Sequence, residues 1–523
     1  MSRKMVWSGV ISGGYLALAA EISLARLLRP WLGDWLGVWA AVIGFVLLYL
    51  ALGNWLGGRW SRSGGAARMG WALFGAGMGL YLLPIVARPL LYAAMVGMRT
   101  YNVALPVVAL SVIGLLLAFP LILLGTLSPL AVRLLTPDAT RSGEVAGRVL
   151  AVSTLASLAG AFTPVFLWLP WLGTRRTFAL LGLLALGLAT GIGIHLRRWW
   201  LTTLAAIMFL IGITALPFWT QGPIKGEDPG GRGRVLYEAA SAYNFIQVVE
   251  YRGERWLRLN EGEGIHSVWR PGPGLSEGIW DYFLLAPLFR PKATALLPPR
   301  KVLIIGLAGG TAATLYYRAF GPVPMVGVEL DPEVIRVGYT YFNLDALPTL
   351  TAIAGDGRLY LALNQESFDV ILLDAYRPPY IPFHLVTVEF FRLVQQRLTP
   401  DGVVAVNVIR TATDRGLVNA VAHTMKHVFP AVYIIDEPLR GAPAGNSLVV
   451  ATQQPIALST FWQNVENSAN PYLQEMGRRA RGFIQPATEQ GEVFFDDRAA
   501  VEYVVHRLIV EYLFTTVQDT PAR

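Results

Sequence analysis

Apolar residues fall in two unlike patterns along this chain. From the N-terminus they form long runs, Val6 to Leu28, Trp35 to Leu56, Met69 to Val86, Ala104 to Leu127, Leu150 to Leu169, Thr177 to Ile194 and Trp199 to Phe218. Each is near the roughly 20 residues a helix needs to cross a bilayer, so residues 1–219 are expected to form a helical membrane domain of about seven spans. Next comes TQGPIKGEDPGGRGR, Thr220 to Arg234, polar, Gly-rich and Pro-punctuated as a linker (220–234) is. Alternating runs at Asn244 to Tyr251 and Arg255 to Asn260 flank Arg252-Gly253-Glu254 and predict a hairpin within a small antiparallel β-domain, residues 235–275.

From Ser276, the start of an expected helix reaching Leu288, short β-branched runs alternate with helix-prone segments to the end of the chain, 276–523. The strand Val302 to Ile305 ends in the turn Gly306-Leu307-Ala308-Gly309-Gly310-Thr311 and a helix follows from Ala312 to Phe320. The next strand, Met325 to Val328, runs into Glu329 and Asp331. A carboxylate about 20 residues beyond a Gly-rich strand-to-helix turn is where a nucleotide-binding βαβ unit holds ribose hydroxyls. No Lys-Ser/Thr pair closes the turn, which excludes a Walker loop. A helix from Pro332 to Phe342, a strand near Leu350 to Ala354 before Gly355-Asp356-Gly357, a strand Phe368 to Leu373 before Asp374, a helix from Thr387 to Leu398, a turn at Pro400-Asp401-Gly402 and a strand Val403 to Val408 complete the pattern. Strand and helix in turn imply a Rossmann-like, doubly wound and mostly parallel sheet whose ligands lie beyond the carboxyl ends of its strands. Glu329, Asp356 and Asp374 are all expected at such ends. Any one of them alone reads equally well as a helix cap; together they suit a nucleoside and an amine that must lose a proton.

Composition sharpens this division. The chain has 523 residues, 54% of them hydrophobic, a mean hydropathy of +0.46 and a net charge of +8. Residues 1–220 hold 16 Lys+Arg against 4 Asp+Glu, and the remainder 27 against 31, so the basic half is the apolar half. Positive charge between hydrophobic runs faces lipid headgroups, whereas a nucleic-acid binder would carry a basic stripe on its soluble face; no nucleic acid is expected as a partner. There is no cysteine and there are six histidines without metal-binding spacing, so no metal is expected.

Within the membrane half, Gly53, Gly57, Gly75, Gly77 and Gly79 permit close helix approach, and Trp31, Trp35, Trp55, Trp171, Trp199 and Trp200 sit near run ends as interfacial anchors. Arg3-Lys4 precedes a span with no cleavage site, unlike a signal peptide. Glu21 lies inside the first span, where an ionisable group needs a partner or a cavity; a structural contact and a cation site for an amine both fit. Arg59, Arg62, Arg68, Arg133, Arg141, Arg148, Arg197 and Arg198 share alternate loops with Arg3 and Lys4, which favours a cytoplasmic N-terminus and, after seven spans, a soluble half outside. The opposite loops also carry Arg29, Arg99, Arg175 and Arg176, so orientation stays open at this stage.

The motifs VLIIGLAGG, VELD, GDG, FDVILLDAYRPP and HLVTVEFFRLVQQRLTPDGVVAVN, in that order, resemble the spermidine/spermine synthase family. SAYNFIQVVEY and LRLNEGEGIHS resemble its N-terminal β-hairpin domain, so the resemblance covers about Tyr237 to Ala451. AAEISLARLL, GGRWSR, FPAVYII and FFDDRAAVEYV look like its membrane-fused members. The resemblance implies a membrane-bound aminopropyltransferase, multi-pass in the cell membrane with its soluble half in the cytoplasm. It implies no tightly bound cofactor, decarboxylated S-adenosylmethionine as co-substrate and methylthioadenosine as product. An amine would be the acceptor, the lipid bilayer a partner, and a homodimer remains compatible.

Residue by residue, the resemblance makes Asp374 the base. Glu329 becomes the ribose ligand, Asp356 and Gly357 the adenine contact, Gly306, Gly309 and Gly310 the donor loop, and Asn244 a nucleoside contact in place of a glutamine. Asp281, Tyr376 and Arg377 fall on the acceptor side. Three positions depart from the family. Gly309 occupies or adjoins the place of an Asp that meets the donor's amine, Arg377 replaces the second acid of an Asp-Ser-Ser-Asp-Pro motif, and Trp280 replaces a triplet His. An arginine there repels a diamine's far ammonium and welcomes a carboxylate. Two other functions therefore stand beside aminopropyl transfer: another S-adenosylmethionine-type transferase, of methyl or aminobutyrate groups, and a non-catalytic membrane protein that binds a nucleoside or amine.

Overall fold

The computed structural model describes residues 2–33, 36–62, 65–101, 105–227, 233–260, 264–376, 381–439, 441–442, 444–501 and 504–505. Two compact units emerge, one of Met1–Arg232, Glu238–Phe245 and Asn260–Gly262, the other of Gly233–Tyr237, Ile246–Leu259 and Glu263–Arg523.

The first unit is helical: α1 (Arg3–Leu32), α2 (Leu36–Trp60), α3 (Gly65–Tyr101), α4 (Leu105–Gly125), α5 (Leu127–Leu135), α6 (Ser142–Thr163), α7 (Leu169–His195) and α8 (Trp199–Thr220). Six continuous helical stretches among the described residues are long and apolar enough to cross a membrane. The fifth, Ser142–His195, has 54 residues, about 80 Å if straight and far more than a bilayer's hydrocarbon core. Gly173 breaks it with φ 74 and ψ 171, so 142–172 and 174–195 are separate lengths, each able to cross. Glycine sets the packing distance between helices. A Cβ on Gly53 would fall 2.3 Å from the Ile122 carbonyl oxygen, and one on Gly182 would fall 2.7 Å from that of Gly77. Leucines such as Leu47, Leu115 and Leu150 point outward while Leu24, Leu73, Leu117 and Phe178 fill the interior, an apolar outer face compatible with a membrane. Glu21 is buried within α1.

Strands β1 (Arg234–Ala240), β2 (Phe245–Tyr251), β3 (Glu254–Leu259) and β4 (Ile265–Trp269) form an antiparallel sheet in sequence order. The β2–β3 loop is two residues, Arg252 and Gly253, both at positive φ (52 and 81), the turn whose twist suits a hairpin. The expected helix from Ser276 to Leu288 is instead a run of tight 3-10 turns, Ile279–Phe289. All eleven of its side chains are buried, and the Asp281 carboxylate folds back onto the N–H groups of Ser276 and Glu277. Those bonds close tight turns where an α-helix would direct the side chain outward.

The remainder alternates: a short helix α9 (Lys292–Ala295), then β5 (Val302–Ile305), α10 (Thr311–Phe320), β6 (Met325–Glu329), α11 (Pro332–Tyr341), β7 (Leu350–Ala354), α12 (Gly357–Leu363), β8 (Phe368–Leu373), α13 (Val388–Arg397), β9 (Leu398–Thr411), α14 (Gly416–Lys426), β10 (Ala431–Asp436), β11 (Ala444–Thr452), α15 (Leu458–Asn467), α16 (Pro471–Ala480) and β12 (Ile484–Pro486). Sheet order is β12-β10-β11-β9-β8-β5-β6-β7. The pairings β7–β6, β6–β5, β5–β8 and β8–β9 are parallel; β9–β11, β11–β10 and β10–β12 are antiparallel. Strand β9 starts before the expected turn at Pro400-Asp401-Gly402, which is absorbed as a register shift against β8. Both faces are covered, Ile304, Leu372 and Ala405 facing one core and Ile305, Leu373 and Val406 the other. That is why these strands read as unbroken apolar runs rather than alternating ones.

The order reverses between β5 and β8, since β5 leads to β6 and β7 on one side while β8 and β9 lie on the other. The crevice at the carboxyl ends of this pair is where such sheets bind ligands.

Candidate active site

At the crevice Gly306 ends β5 and Asp374 follows β8. A Cβ on Gly306 would lie 2.5 Å from the Asp374 carbonyl oxygen, and the residue has φ 88; only glycine lets the two strand ends approach this closely. The Asp374 carboxylate receives two hydrogen bonds, from Trp280 Nε1 to Oδ2 at 2.9 Å and from Asn407 Nδ2 to Oδ1 at 2.8 Å. Burial pushes its pKa up to about 6; the two donors oppose the rise and the Glu329 charge adds to it. A carboxylate fixed in orientation and half-protonated near 6 can accept a proton near neutral pH. Beside it the half-buried Tyr376 hydroxyl accepts from the Ile409 N–H, and burial pushes the phenol up, so it stays neutral.

Glu329 ends β6. Its Oε2 accepts from the Ala308 N–H at 3.0 Å and its Oε1 from the Asp331 N–H at 3.1 Å. Ala308 holds φ 48 to aim its N–H this way, an arrangement L-residues rarely adopt. Burial pushes the Glu329 carboxyl up. The Gly355 N–H donates to the Glu329 carbonyl at 2.9 Å, setting Asp356 beside it. Asp356 caps α12, Oδ1 accepting from the Leu359 N–H at 2.8 Å, while Oδ2 lies 3.3 Å from His384 Nε2. Gly357 packs helix on strand, since its Cβ would be 2.3 Å from Ile305 Cγ2.

Other expected residues have different surroundings. The Gly309 N–H donates to Ser267 Oγ at 2.8 Å, its added Cβ would meet Ser267 and Phe342, and the Gly310 N–H donates to the Leu307 carbonyl. Both glycines therefore shape the turn, their N–H groups already engaged inside the protein. Asp281 is 1% exposed and accepts three bonds, from the Ser276 N–H, the Ser276 hydroxyl and the Glu277 N–H at 2.6–2.8 Å, the arrangement of an internal anchor rather than of a substrate contact. Asn244 belongs to the helical unit, where its Oδ1 accepts from Asn260 Nδ2 at 3.2 Å. Arg377 lies outside the described residues.

Sequence reasoning missed Trp280 and Asn407 as partners of Asp374. Asn407 had a signal, being the polar residue that interrupts the apolar run after Val406; Trp280, 94 positions away, stood out only as the residue in place of the family's triplet His. His266 was missed as well. It is half-buried, with Nε2 shielded from solvent and without a hydrogen-bond partner among the described residues, and burial pulls its pKa down to about 4. Its neighbour Ser267 holds the Gly309 N–H.

Fold and site together define a doubly wound α/β domain with a carboxylate, Glu329, at the end of its second strand and a half-buried carboxylate, Asp374, at its switch point. A family profile described as spermine/spermidine synthase domain matches residues 291–456. The chain is 30% identical over 241 residues to the polyamine aminopropyltransferase of Thermococcus kodakarensis, covering 42% of this chain and 76% of that protein. It is 27% identical over 284 residues to a probable polyamine aminopropyl transferase of Bifidobacterium longum, covering 51% of this chain and 61% of that one, so it spans about three-fifths of that relative's length. Among solved structures, a probable spermidine synthase from Corynebacterium glutamicum aligns over 49% of this chain and 96% of its own, with 18% identity and a TM-score of 0.37. The chain belongs to the spermine/spermidine synthase family.

Proposed function

We propose that the α/β unit transfers an aminopropyl group from decarboxylated S-adenosylmethionine to an amine. Asp374 carries the reading: a half-buried carboxylate at the switch point, oriented by Trp280 and Asn407, with its pKa pushed up to about 6. The acceptor nitrogen must be neutral to attack. Asp374 accepts a proton from its ammonium, the nitrogen forms a bond to the aminopropyl carbon, the carbon–sulfur bond breaks, and methylthioadenosine leaves as an uncharged thioether. Positioning and one base suffice for such a displacement. Glu329 would take the two ribose hydroxyls, and Asp356 Oδ2 the adenine amino group, while Gly306 keeps the crevice open. Tyr376 walls the acceptor side against water.

The finer localisation belongs to the same proposal. The six apolar helices are compatible with membrane insertion, and the resemblance favours a soluble half in the cytoplasm, against the loop charges.

Incubating the full-length protein with decarboxylated or intact S-adenosylmethionine, against a panel of diamines and amino acids with mass detection, tests the reading. An aminopropylated amine plus methylthioadenosine is expected, lost in Asp374→Asn while methylthioadenosine still binds. Product only from intact S-adenosylmethionine would replace the proposal by methyl or aminobutyrate transfer, and none from any pairing would leave a ligand-binding protein.

A further inference from the structure

The helical unit contains a cavity of about 330 Å³ lined by α1, α2, α6 and the junction of α4 with α5. Backbones pack closely around it: a Cβ on Gly14 would fall 2.2 Å from the Ser153 carbonyl oxygen, and one on Gly125 2.8 Å from that of Leu50. Its polar lining is Asn54, Ser128, Ser153 and Ser157. Ser157 donates to the Gly14 carbonyl at 3.2 Å, whereas the other three side chains make no hydrogen bond among the described residues. Leu18, Leu50, Val132 and Val149 give apolar walls, and no charged side chain is among the described residues of the lining. Glu21 stands one helical turn beyond Ala17 and Leu18, on the face of α1 that both turn to the cavity. A helical side chain leans toward the N-terminus of its own helix, over the preceding turn, so this carboxylate is carried back toward the cavity. It is 9% exposed and makes no hydrogen bond, ion pair or other charge contact among the described residues. Of the two alternatives that its position in the sequence allowed, the structural contact is not made there.

A carboxylate withdrawn from water is costly until a positive charge meets it. An ionisable group placed within an apolar helix and left without a partner is therefore suited to a ligand. The volume decides among cations. About 330 Å³ is roughly ten times a water molecule's share of the liquid, too open for the walls to surround a bare metal ion with oxygens and within the range of small-organic-ligand sites. An ammonium group asks for a carboxylate and a few acceptors on one side and apolar contact for its carbon chain on the other, which is how this lining is divided. We infer that the cavity binds a small aliphatic amine in its ammonium form, with Glu21 as counter-ion, Asn54, Ser128 and Ser153 accepting its N–H groups, and the leucine and valine walls against its carbon chain. The inference does not depend on what the α/β unit catalyses.

The test uses the full-length protein in neutral detergent, with n-butylamine as the probe, titrated by calorimetry at constant ionic strength. Its uncharged match in size, 1-butanol, and sodium chloride serve as comparisons. The α/β unit is itself proposed to take an amine, so every titration is repeated on the Asp374→Asn protein to separate the two sites. Glu21→Gln keeps the shape of the side chain and removes its charge. The expected result is butylamine binding weakened at least about tenfold by Glu21→Gln in both backgrounds, the loss of one hydrogen bond to a charged group, with 1-butanol not bound. Ser128→Ala with Ser153→Ala breaks no hydrogen bond among the described residues and should weaken binding about threefold or more, which decides the matter where Glu21→Gln fails to fold. Butylamine bound equally with and without these substitutions, 1-butanol bound as tightly, displacement by sodium as readily as by a second amine, or no binding to the Asp374→Asn protein would overturn the inference.

Discussion

Trp280→Phe removes the indole N–H donor, and the nitrogen-bearing ring with it, while keeping one aromatic ring in its place. The Nε1–H to Oδ2 bond, 2.9 Å long, favours the ionised form of Asp374. A hydrogen bond to a charged group contributes about 1.5–3 kcal/mol, a factor of roughly 10–150 in proton affinity. Asp374, raised to about 6 by burial, would then be half-protonated at or above neutrality. At pH 7 the ionised share falls from about nine-tenths to about a half or less. The sign follows from the charge: losing a donor to the carboxylate raises its pKa, so as pH falls base activity is lost sooner, at a higher pH than in the wild type, and it recovers as pH rises. The assay is single-turnover transfer measured from pH 5 to 9, with methylthioadenosine affinity as a control. In the wild type the rate should fall as pH drops through about 6; in the variant that limb should move up and the rate above pH 8 should return to near the wild-type level. A rate lowered equally at every pH, with the limb unmoved, would refute the claim that Trp280 tunes Asp374.

Glu329→Gln should weaken methylthioadenosine by about 1–3 kcal/mol in calorimetry and, by removing a charge that raises Asp374, move the acidic limb down. Gly306→Ala should destabilise the α/β unit by about 1–3 kcal/mol in denaturant titration, from strained φ together with the clash on the Asp374 carbonyl. The chain lacks cysteine, so Ser61→Cys and Gln221→Cys can each be labelled in intact cells with an impermeant maleimide. Seven crossings place them on opposite sides, whereas labelling on one side would mean that the Gly173 break does not separate two spans.

Much of the molecule was written locally. Run length separated helices long and apolar enough to cross a membrane from short strands, because a bilayer demands about 20 apolar residues and a doubly covered strand only a handful. The turn from Gly306, the acid Glu329 and the strand-end Asp374 were legible because each sits where its own strand ends. What depends on folding is which ends meet. Pairing of β8 with β5 rather than with its sequential neighbour β7 makes a switch point, and there the backbone of Asp374 presses against Gly306. Trp280 and Asn407 reach Asp374 from 94 and 33 positions away, contacts set by packing of tight turns and by sheet order, which no local propensity encodes. The same holds where expectation and structure part. Gly309 reads as part of a donor loop, yet strand β4 supplies Ser267 to hold its N–H, and Asp281 reads as an acceptor ligand, yet its own preceding turn takes all three bonds. In the helical unit the sequence left Glu21 between a structural contact and a cation site. Helix packing decided that no described side chain meets it and that a cavity walled by α1, α2, α5 and α6 lies one turn away, because side chains distant in sequence converge only when their helices do.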